Sequence, residues 1–173
     1  MAEDLTRDVA PEEWRARVAD AVTDGFTFVD WLTAVDRTYL EEPGVDVVAR
    51  LLDVSTPGAA QGLRLTTFVP DGGTLESLTP VVAGFAWHER ETFEMFGLHF
   101  EGFDDGTDLG LRPLLLPEGF EGHPLRKEFQ LAARASKAWP GGKEPGEGHE
   151  SVRSPSRRRV QAPGVPPPDW GPR

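Results

Sequence analysis

The order of apolar and polar residues predicts a helix near the start of the chain and strands after it. Pro11 precedes the segment "EEWRARVADAV", in which Trp14, Val18 and Val22 repeat at the spacing of one helix face. Gly25 follows this segment and marks its end. The next segment, "FTFVDWLTAVDRTYL", predicts a strand, or a strand that leads into a short helix.

Two further segments predict an antiparallel pair of strands. Residues 45–54, "VDVVARLLDV", and residues 62–69, "GLRLTTFV", are rich in Val, Leu and Thr, and the turn-forming loop "STPGAAQ" separates them. Farther along, "LHFEGF" predicts a short additional strand. These segments indicate a small sheet that is largely antiparallel.

From Ser77 to Phe96 the apolar residues return to helical spacing, and Gly84 leaves open whether this stretch forms one helix or two. The apolar stripe predicts apolar residues at positions 88 and 89, where the sequence has His88 and Glu89. The sequence therefore predicts a carboxylate on the buried face of this helix.

A buried carboxylate without a partner is costly, so Glu89 is expected to meet a cation. Arg126 or Lys127 is the candidate, which would bring two distant segments together. Arg90 and Glu94 are four residues apart, a spacing typical of a weak, exposed pair on a helix surface. Catalysis by a His88–Glu89 acid–base pair is the less favoured alternative.

The composition changes after Phe129. The last 44 residues hold 8 of the 16 prolines and 6 of the 19 glycines, with few large aliphatic side chains. Such a segment cannot bury enough surface to offset its ordering entropy. We therefore expect a flexible N-terminus at 1–10, a mixed α+β two-layer domain at 11–130, in which helices pack on the sheet, and an extended or disordered basic tail at 131–173.

Charge is distributed unevenly along this chain, whose net charge is −11. Residues 1–129 carry 25 acidic and 10 basic side chains, whereas residues 130–173 carry 4 acidic and 8 basic ones. An acidic body repels nucleic acid, so no nucleic-acid partner is expected. Neither an apolar run of membrane-spanning length nor a secretory signal pattern is visible, which favours a cytoplasmic protein.

Motifs for catalysis or metal binding are weak. The chain has no cysteine, which excludes a thiolate nucleophile and cysteine-ligated zinc or iron–sulfur clusters. "WHERETF" begins like the zinc-binding HExxH motif, but Thr92 stands where the second histidine is required. The four histidines lack ligand spacing, and no phosphate-binding glycine motif is present. We therefore expect no metal and no catalytic centre in this chain.

Two segments, "WHERETFEMFGLHFEG" and "LRPLLLPEGFEGHPLRKEF", resemble the signature of the C subunit of respiratory complex I, the thirty-kilodalton subunit of NADH:quinone oxidoreductase. The upstream strands are similar to the early strand and central hairpin of that family, and "KAWPGGKEPGE" resembles the tails of actinobacterial members. The matching positions, expected to form a structural or interface site, are Glu89, Arg90, Glu91, Gly97, Gly122, His123, Pro124, Leu125, Arg126 and Lys127.

The sequence departs from the family pattern at several positions. The first of the two GHP motifs is replaced from Gly102 onward by a longer polar loop. Glu94 stands where the family has aspartate, and Phe120 stands where it has tryptophan. These departures change local contacts and leave open which complex contains the chain.

The resemblance implies a mixed α/β domain that binds no redox cofactor itself. It implies a place in the peripheral arm, on the cytoplasmic side of the cell membrane, against the quinone-site D subunit and near the cluster-bearing B and I subunits. FMN, iron–sulfur clusters, NADH and quinone would be bound by other subunits, and membrane association would be indirect. "EGHPLRKEF" is then a rigid turn whose cations anchor the domain.

Other functions remain open at this point. The same kind of subunit occurs in related complexes that use ferredoxin, F420 or a hydrogenase, and this chain does not contain the groups that select the electron donor. A free-standing enzyme would use Glu89, His88 or His123 for acid–base chemistry. A soluble adaptor would bind acidic partners through the basic segment "SVRSPSRRRV".

Overall fold

The computed structural model describes residues 4–129, so the tail predicted for residues 131–173 lies outside the described part. In chain order the elements are β1 (Leu5–Asp8), a 3-10 turn (Pro11–Glu13), α1 (Trp14–Thr23), β2 (Phe28–Asp36), β3 (Gly44–Asp53), β4 (Gln61–Pro70), β5 (Thr74–Glu76), a second 3-10 turn (Ala83–Phe85), α2 (Ala86–Phe96) and β6 (His99–Glu101).

Four strands form the main sheet, in the order β1-β4-β3-β2. β2, β3 and β4 are antiparallel, and β1 is added in parallel to the outer edge of β4. The antiparallel hairpin predicted from the sequence is confirmed, with Val47 opposite Thr67 and Leu51 opposite Leu63. β5 and β6 form a separate parallel pair. The predicted α+β class with a largely antiparallel sheet is therefore confirmed.

The core joins one face of the sheet to both helices. Trp14 and Val18 on α1 are fully buried, as the helical spacing predicts, and Phe85 precedes α2 in the same core. Each large apolar side chain that is fully buried contributes about 1.5–3 kcal/mol. Inward-facing residues of β3 and β4 complete this core: Val45, Val47, Ala49, Leu51, Leu63, Leu65 and Val69.

The N-terminal stretch differs from the expectation. Leu5–Asp8, placed in a flexible segment by the sequence, form β1 and pair with residues 63–66 of β4. Their four side chains are all exposed, so no apolar pattern marks the strand. Main-chain pairing and an ion pair between Asp4 and Arg50 hold it instead.

The stretch before α2 also differs. Residues 77–82 form turns, and the regular α-helix begins only at Ala86. Pro80 explains this, because proline removes a main-chain donor inside a helix and disfavours helical geometry at the residue before it. After β2 the chain turns at Arg37–Leu40, so the alternative of a following short helix is wrong. Within residues 4–129, neither α-helix is long and apolar enough to cross a membrane.

Candidate functional site

Helix α2 carries the first motif segment, and residues 121–129 of the second segment return to the end of this helix. The buried face of α2 includes Ala86, Glu89, Thr92 and Phe96, so Glu89 occupies the interior as predicted. Gly97 then ends the helix in the left-handed conformation, with φ of +75°. The site is therefore built on one short, rigid helix and the chain that folds back onto it.

Glu89 is fully buried, but its partners are not the predicted cations. One carboxylate oxygen accepts a hydrogen bond from the Ser77 hydroxyl at 2.6 Å, and the other accepts one from the main-chain N–H of Leu78 at 2.6 Å. Arg126 and Lys127 have other partners. The carboxylate therefore fixes α2 to the turn after β5, and the predicted pairing with the second motif is wrong.

Burial raises the pKa of Glu89 to about 7, although the bonds from Ser77 and Leu78 and the charge of Arg15 act in the opposite direction. Arg15, on α1, donates to the main-chain oxygen of Ser77 at 2.9 Å and forms an ion pair with Glu76 at 3.2 Å. The network thus joins both helices to the β5 turn, and its protonation changes near neutral pH.

Arg90 and Glu94 do not form the predicted surface pair. Arg90 donates to the main-chain oxygens of Arg112 and Pro113 at 3.2 and 2.8 Å. Glu94 is buried and accepts three consecutive main-chain N–H groups, those of residues 114–116, at 2.8–3.0 Å. Both side chains therefore hold the irregular segment 112–116 against α2. Each forms charged hydrogen bonds with the backbone of that segment, which are stronger than an exposed ion pair between the two side chains would be.

The second motif segment provides hydrogen-bond partners for the free carbonyl oxygens at the C-terminal end of α2. The last four carbonyl groups of a helix have no partner within it. Here the oxygen of Phe93 accepts from Gly97 N, and that of Glu94 meets His123 Nδ1 at 2.9 Å. Two further groups complete the set: Leu125 N donates to Met95 O at 3.2 Å, and Arg126 Nε donates to Phe96 O at 2.7 Å.

These contacts indicate which ring nitrogen of His123 carries the proton and where the guanidinium of Arg126 lies. Because a carbonyl oxygen only accepts, Nδ1 of His123 is the protonated ring nitrogen in this contact. The guanidinium of Arg126 lies at the negative end of the helix dipole, where a cation is favourable. Arg126 also forms an ion pair with Asp71 at 3.1 Å, beyond the end of β4. One side chain thus connects α2, the sheet and the motif.

Lys127 attaches the same segment to the end of β2. Its main-chain N–H donates to Asp36 at 2.7 Å, and its ammonium lies 3.8 Å from the centre of the Tyr39 ring. Burial of Asp36 raises its pKa, but hydrogen bonds from Lys127 and Thr38 and the charge of Arg126 outweigh burial and lower it below the ordinary value. These contacts attach the segment to β2 partly through the backbone of Lys127, and the role of its cations as an anchor in a complex stays a prediction.

The remaining motif residues divide into two groups. Gly122 has φ of +90°, and a side chain there would meet the ring of Phe129, which stacks on Phe120. Pro124 is half-buried beside His123. Glu91 and Leu125 are exposed and are thus available to a partner.

Sequence reasoning missed several residues of this site. The helical spacing places Ser77 in a helix, so its contact with Glu89 is not expected. The same spacing suggests a surface position for Glu94. The acidic residue at the corresponding position of the family motif could have indicated that this carboxylate has a structural role. Asp36 lies 91 residues from Lys127, and no local pattern connects the two.

The charged side chains of this arrangement hold main-chain groups in place. Glu89, Arg90, Glu94 and Arg126 each bond to main-chain groups of another segment. Within residues 4–129, no group of three or more His, Asp or Glu side chains is placed to hold a metal ion. These contacts hold the chain after β6 against α2.

Comparisons with known proteins give one consistent family. The family model described as "Respiratory-chain NADH dehydrogenase, 30 Kd subunit" matches residues 7–135, which include both motif segments. The C subunit of NADH-quinone oxidoreductase from Agrobacterium fabrum is 37% identical over 131 residues, covering 74% of this chain and 61% of that relative. NADH-ubiquinone oxidoreductase subunit 9 of Prototheca wickerhamii is 47% identical over 70 residues, covering 40% of this chain and 34% of that relative.

This chain thus spans between about a third and three fifths of the length of these two relatives. Among solved structures, a trypsin-resistant fragment of Nqo5 is similar with a TM-score of 0.50 and 23% identity, covering 58% of this chain and 80% of that one. An archaeal membrane-bound sulfane sulfur reductase complex contains a similar chain, with a TM-score of 0.60 and 19% identity, covering 76% and 74%. At these sequence identities, both structures support only the similarity of the fold.

Proposed function

This chain belongs to the respiratory-chain NADH dehydrogenase 30 kDa subunit family, and from that premise we propose that it is a non-catalytic peripheral-arm subunit of a proton-translocating NADH:quinone oxidoreductase. The family match over residues 7–135 carries the proposal, because it includes both motif segments. The site supports it as well, since its charged side chains bond to the chain's own backbone and not to an open cleft. FMN, the iron–sulfur clusters, NADH and quinone are bound by other subunits.

The role proposed for the chain is to hold the quinone-site D subunit together with the iron–sulfur B and I subunits. A surface for such contacts follows β6, where Glu94, Arg90 and Arg126 fix an irregular segment on α2. The chain between residues 109 and 125, which includes this segment, exposes large apolar side chains, which are a feature of protein interfaces. The exposed set is Leu109 (70%), Leu115 (64%), Phe120 (39%) and Leu125 (52%), with Trp87 (70%) on α2 itself.

Membrane association in this proposal is indirect. The chain lies in the arm on the cytoplasmic side of the cell membrane and attaches through the subunits that it contacts. A wash that removes peripheral proteins but keeps the complex intact should therefore leave the chain in the membrane fraction. Release of the chain alone under that wash would contradict attachment through the complex.

The test of the proposal is purification of the tagged full chain from gently solubilised membranes of its host, with partners identified by mass spectrometry. The expected result is recovery with the D, B and I subunits and with the flavin- and NADH-binding subunits. Recovery with the D, B and I subunits but with a hydrogenase or a ferredoxin- or F420-dependent module would assign the chain to a related complex. Recovery of the chain alone as a monomer would overturn the assembly role.

Paired variants locate the contact surface. Replacing Leu109 and Leu115 by serine should lower the recovery of partners several-fold and leave the melting temperature of the chain unchanged, because both side chains are exposed. Phe28, exposed at the start of β2 and outside both motifs, provides the control: Phe28→Ser should keep full recovery. Equal recovery of partners by both variants would exclude the segment after β6 as the contact.

A further inference from the structure

Strand β1 is attached to the sheet by main-chain pairing and not by packing. Its four residues, Leu5–Asp8, are exposed, and they run parallel to residues 63–66 of β4. The N–H of Val9 extends the pairing with a 2.8 Å bond to the oxygen of Thr66. Because no side chain of β1 enters the core, the pairing of β1 with β4 depends little on the amino-acid sequence of β1. An edge strand of this kind is exchangeable.

One side chain just before β1 is recognised specifically. The carboxylate of Asp4 accepts two parallel hydrogen bonds from Arg50, at 2.7 Å from Nε and 2.8 Å from Nη2. Arg64 adds a third contact at 3.4 Å. The bonds from Arg50 are the main reason why the pKa of Asp4 falls to about 2. The start of the strand is thus fixed by a carboxylate in a two-arginine site.

The receiving groups are held in place by β3 and β4. Arg50 and Arg64 are direct cross-strand neighbours, and Arg50 forms a second ion pair with Asp30 of β2. Gly62 leaves space for the carboxylate of Asp4, because a Cβ atom at position 62 would overlap the carboxylate. Asp30 orients Arg50, and Gly62 leaves the gap beside it. Neither feature therefore depends on the presence of Asp4.

An open cavity of about 1190 Å³ adjoins the carboxylate site. Asp4, Arg50 and Arg64 form one side of it, and residues 56–60 of the β3–β4 loop form another. This space lies beside the N-terminal end of the paired strand. It admits residues that precede the carboxylate in a bound peptide.

We propose that the outer edge of β4, with Arg50, Arg64 and Gly62, is a docking site for an extended acidic segment of a partner protein. The segment pairs parallel to residues 63–66 and places an aspartate or glutamate carboxylate on the two arginines. In the free chain, Asp4–Asp8 occupy the site and compete with the partner. The arginine pair provides the charge complementarity, and the main-chain ladder provides the rest of the binding.

The experiment uses the full-length chain and a fluorescent peptide with the sequence of residues 2–10, "AEDLTRDVA", in an anisotropy titration. The Asp4→Asn variant should bind this peptide about tenfold more tightly than wild type, because its internal competitor has lost the charge. A control peptide with asparagine in place of the first aspartate, "AENLTRDVA", should bind that variant about tenfold more weakly.

A second variant keeps the test decisive if Asp4→Asn is poorly folded. The side chain of Arg64 is 44% exposed and its ion pair is with Asp4, so Arg64→Gln should preserve the fold. The internal Asp4 carboxylate loses the same contact in Arg64→Gln, so this variant should bind the acidic peptide about as tightly as wild type does and should bind the asparagine peptide more tightly than wild type does. Equal binding of the two peptides by every variant, or absence of saturable binding, would overturn the proposal.

Discussion

Gly97 lies against the imidazole ring of His123: a Cβ atom on Gly97 would come within 2.5 Å of Nε2. The same glycine has φ of +75° and ends α2, while Nδ1 of His123 meets the oxygen of Glu94 at 2.9 Å. Two segments separated by more than twenty residues thus meet at a point where only hydrogen fits. The glycine is required by conformation and by contact together.

Replacing Gly97 by alanine should lower the free energy of unfolding by about 2–4 kcal/mol, since the left-handed conformation and the lost His123 contact both contribute. Chemical denaturation monitored by circular dichroism measures this. Gly106 is a matched control, with φ of +76° and no atom within 4 Å of its Cβ position. Gly106→Ala should cost only about 1–2 kcal/mol. Equal losses in both variants would show that the His123 contact contributes nothing.

The carboxylate of Glu94 should prove to be a structural hydrogen-bond acceptor for three main-chain N–H groups. Glu94→Gln replaces one accepting oxygen by a donor, leaves N–H groups of residues 114–116 unsatisfied, and should cost about 2–3 kcal/mol. Glu91, exposed on the same helix, provides the control, and Glu91→Gln should change stability by less than about 0.5 kcal/mol. A loss in Glu94→Gln no larger than that of the control would refute this role.

Glu89 should make stability fall as pH rises through neutrality. Its pKa is raised from 4.5 to about 7 by burial, so its contribution is fully present below 4.5 and is lost above 7. Glu89→Gln keeps the shape and removes the titration. Relative to this variant, the wild type should lose about 2 kcal/mol between pH 5.5 and pH 8.5. Parallel stability curves for the two proteins would mean that Glu89 does not titrate in this range.

The elements that the sequence predicted correctly are those that bury alternating or helical apolar stripes. β3, β4 and α1 fall within a few residues of their predicted positions because each buries one regular face. β1 buries no side chain, so apolar patterning could not reveal it. The turn at 77–82 carries apolar residues at helical spacing, which predicts a helix there, although Pro80 is the stronger signal inside a helix.

The burial of Glu89 was predictable from the sequence, but its hydrogen-bond partners were not. Glu89 interrupts an apolar stripe, and that interruption correctly indicated a buried carboxylate. Its partner is a main-chain N–H and a serine hydroxyl, and main-chain donors have no sequence signature. The same is true of Glu94 and of Arg126, whose partners are backbone groups of segments brought together only by the fold.

The proposed function predicts that the second motif segment serves assembly and not catalysis. The most direct measurement compares membranes that carry wild type or the Arg126→Ala, Lys127→Ala double variant in place of the native chain. Native electrophoresis gives the yield of the complex, and NADH:quinone turnover is then measured per assembled complex. The yield should fall several-fold while turnover per complex stays unchanged. A normal yield of complexes with slow turnover would contradict a role of this segment in assembly.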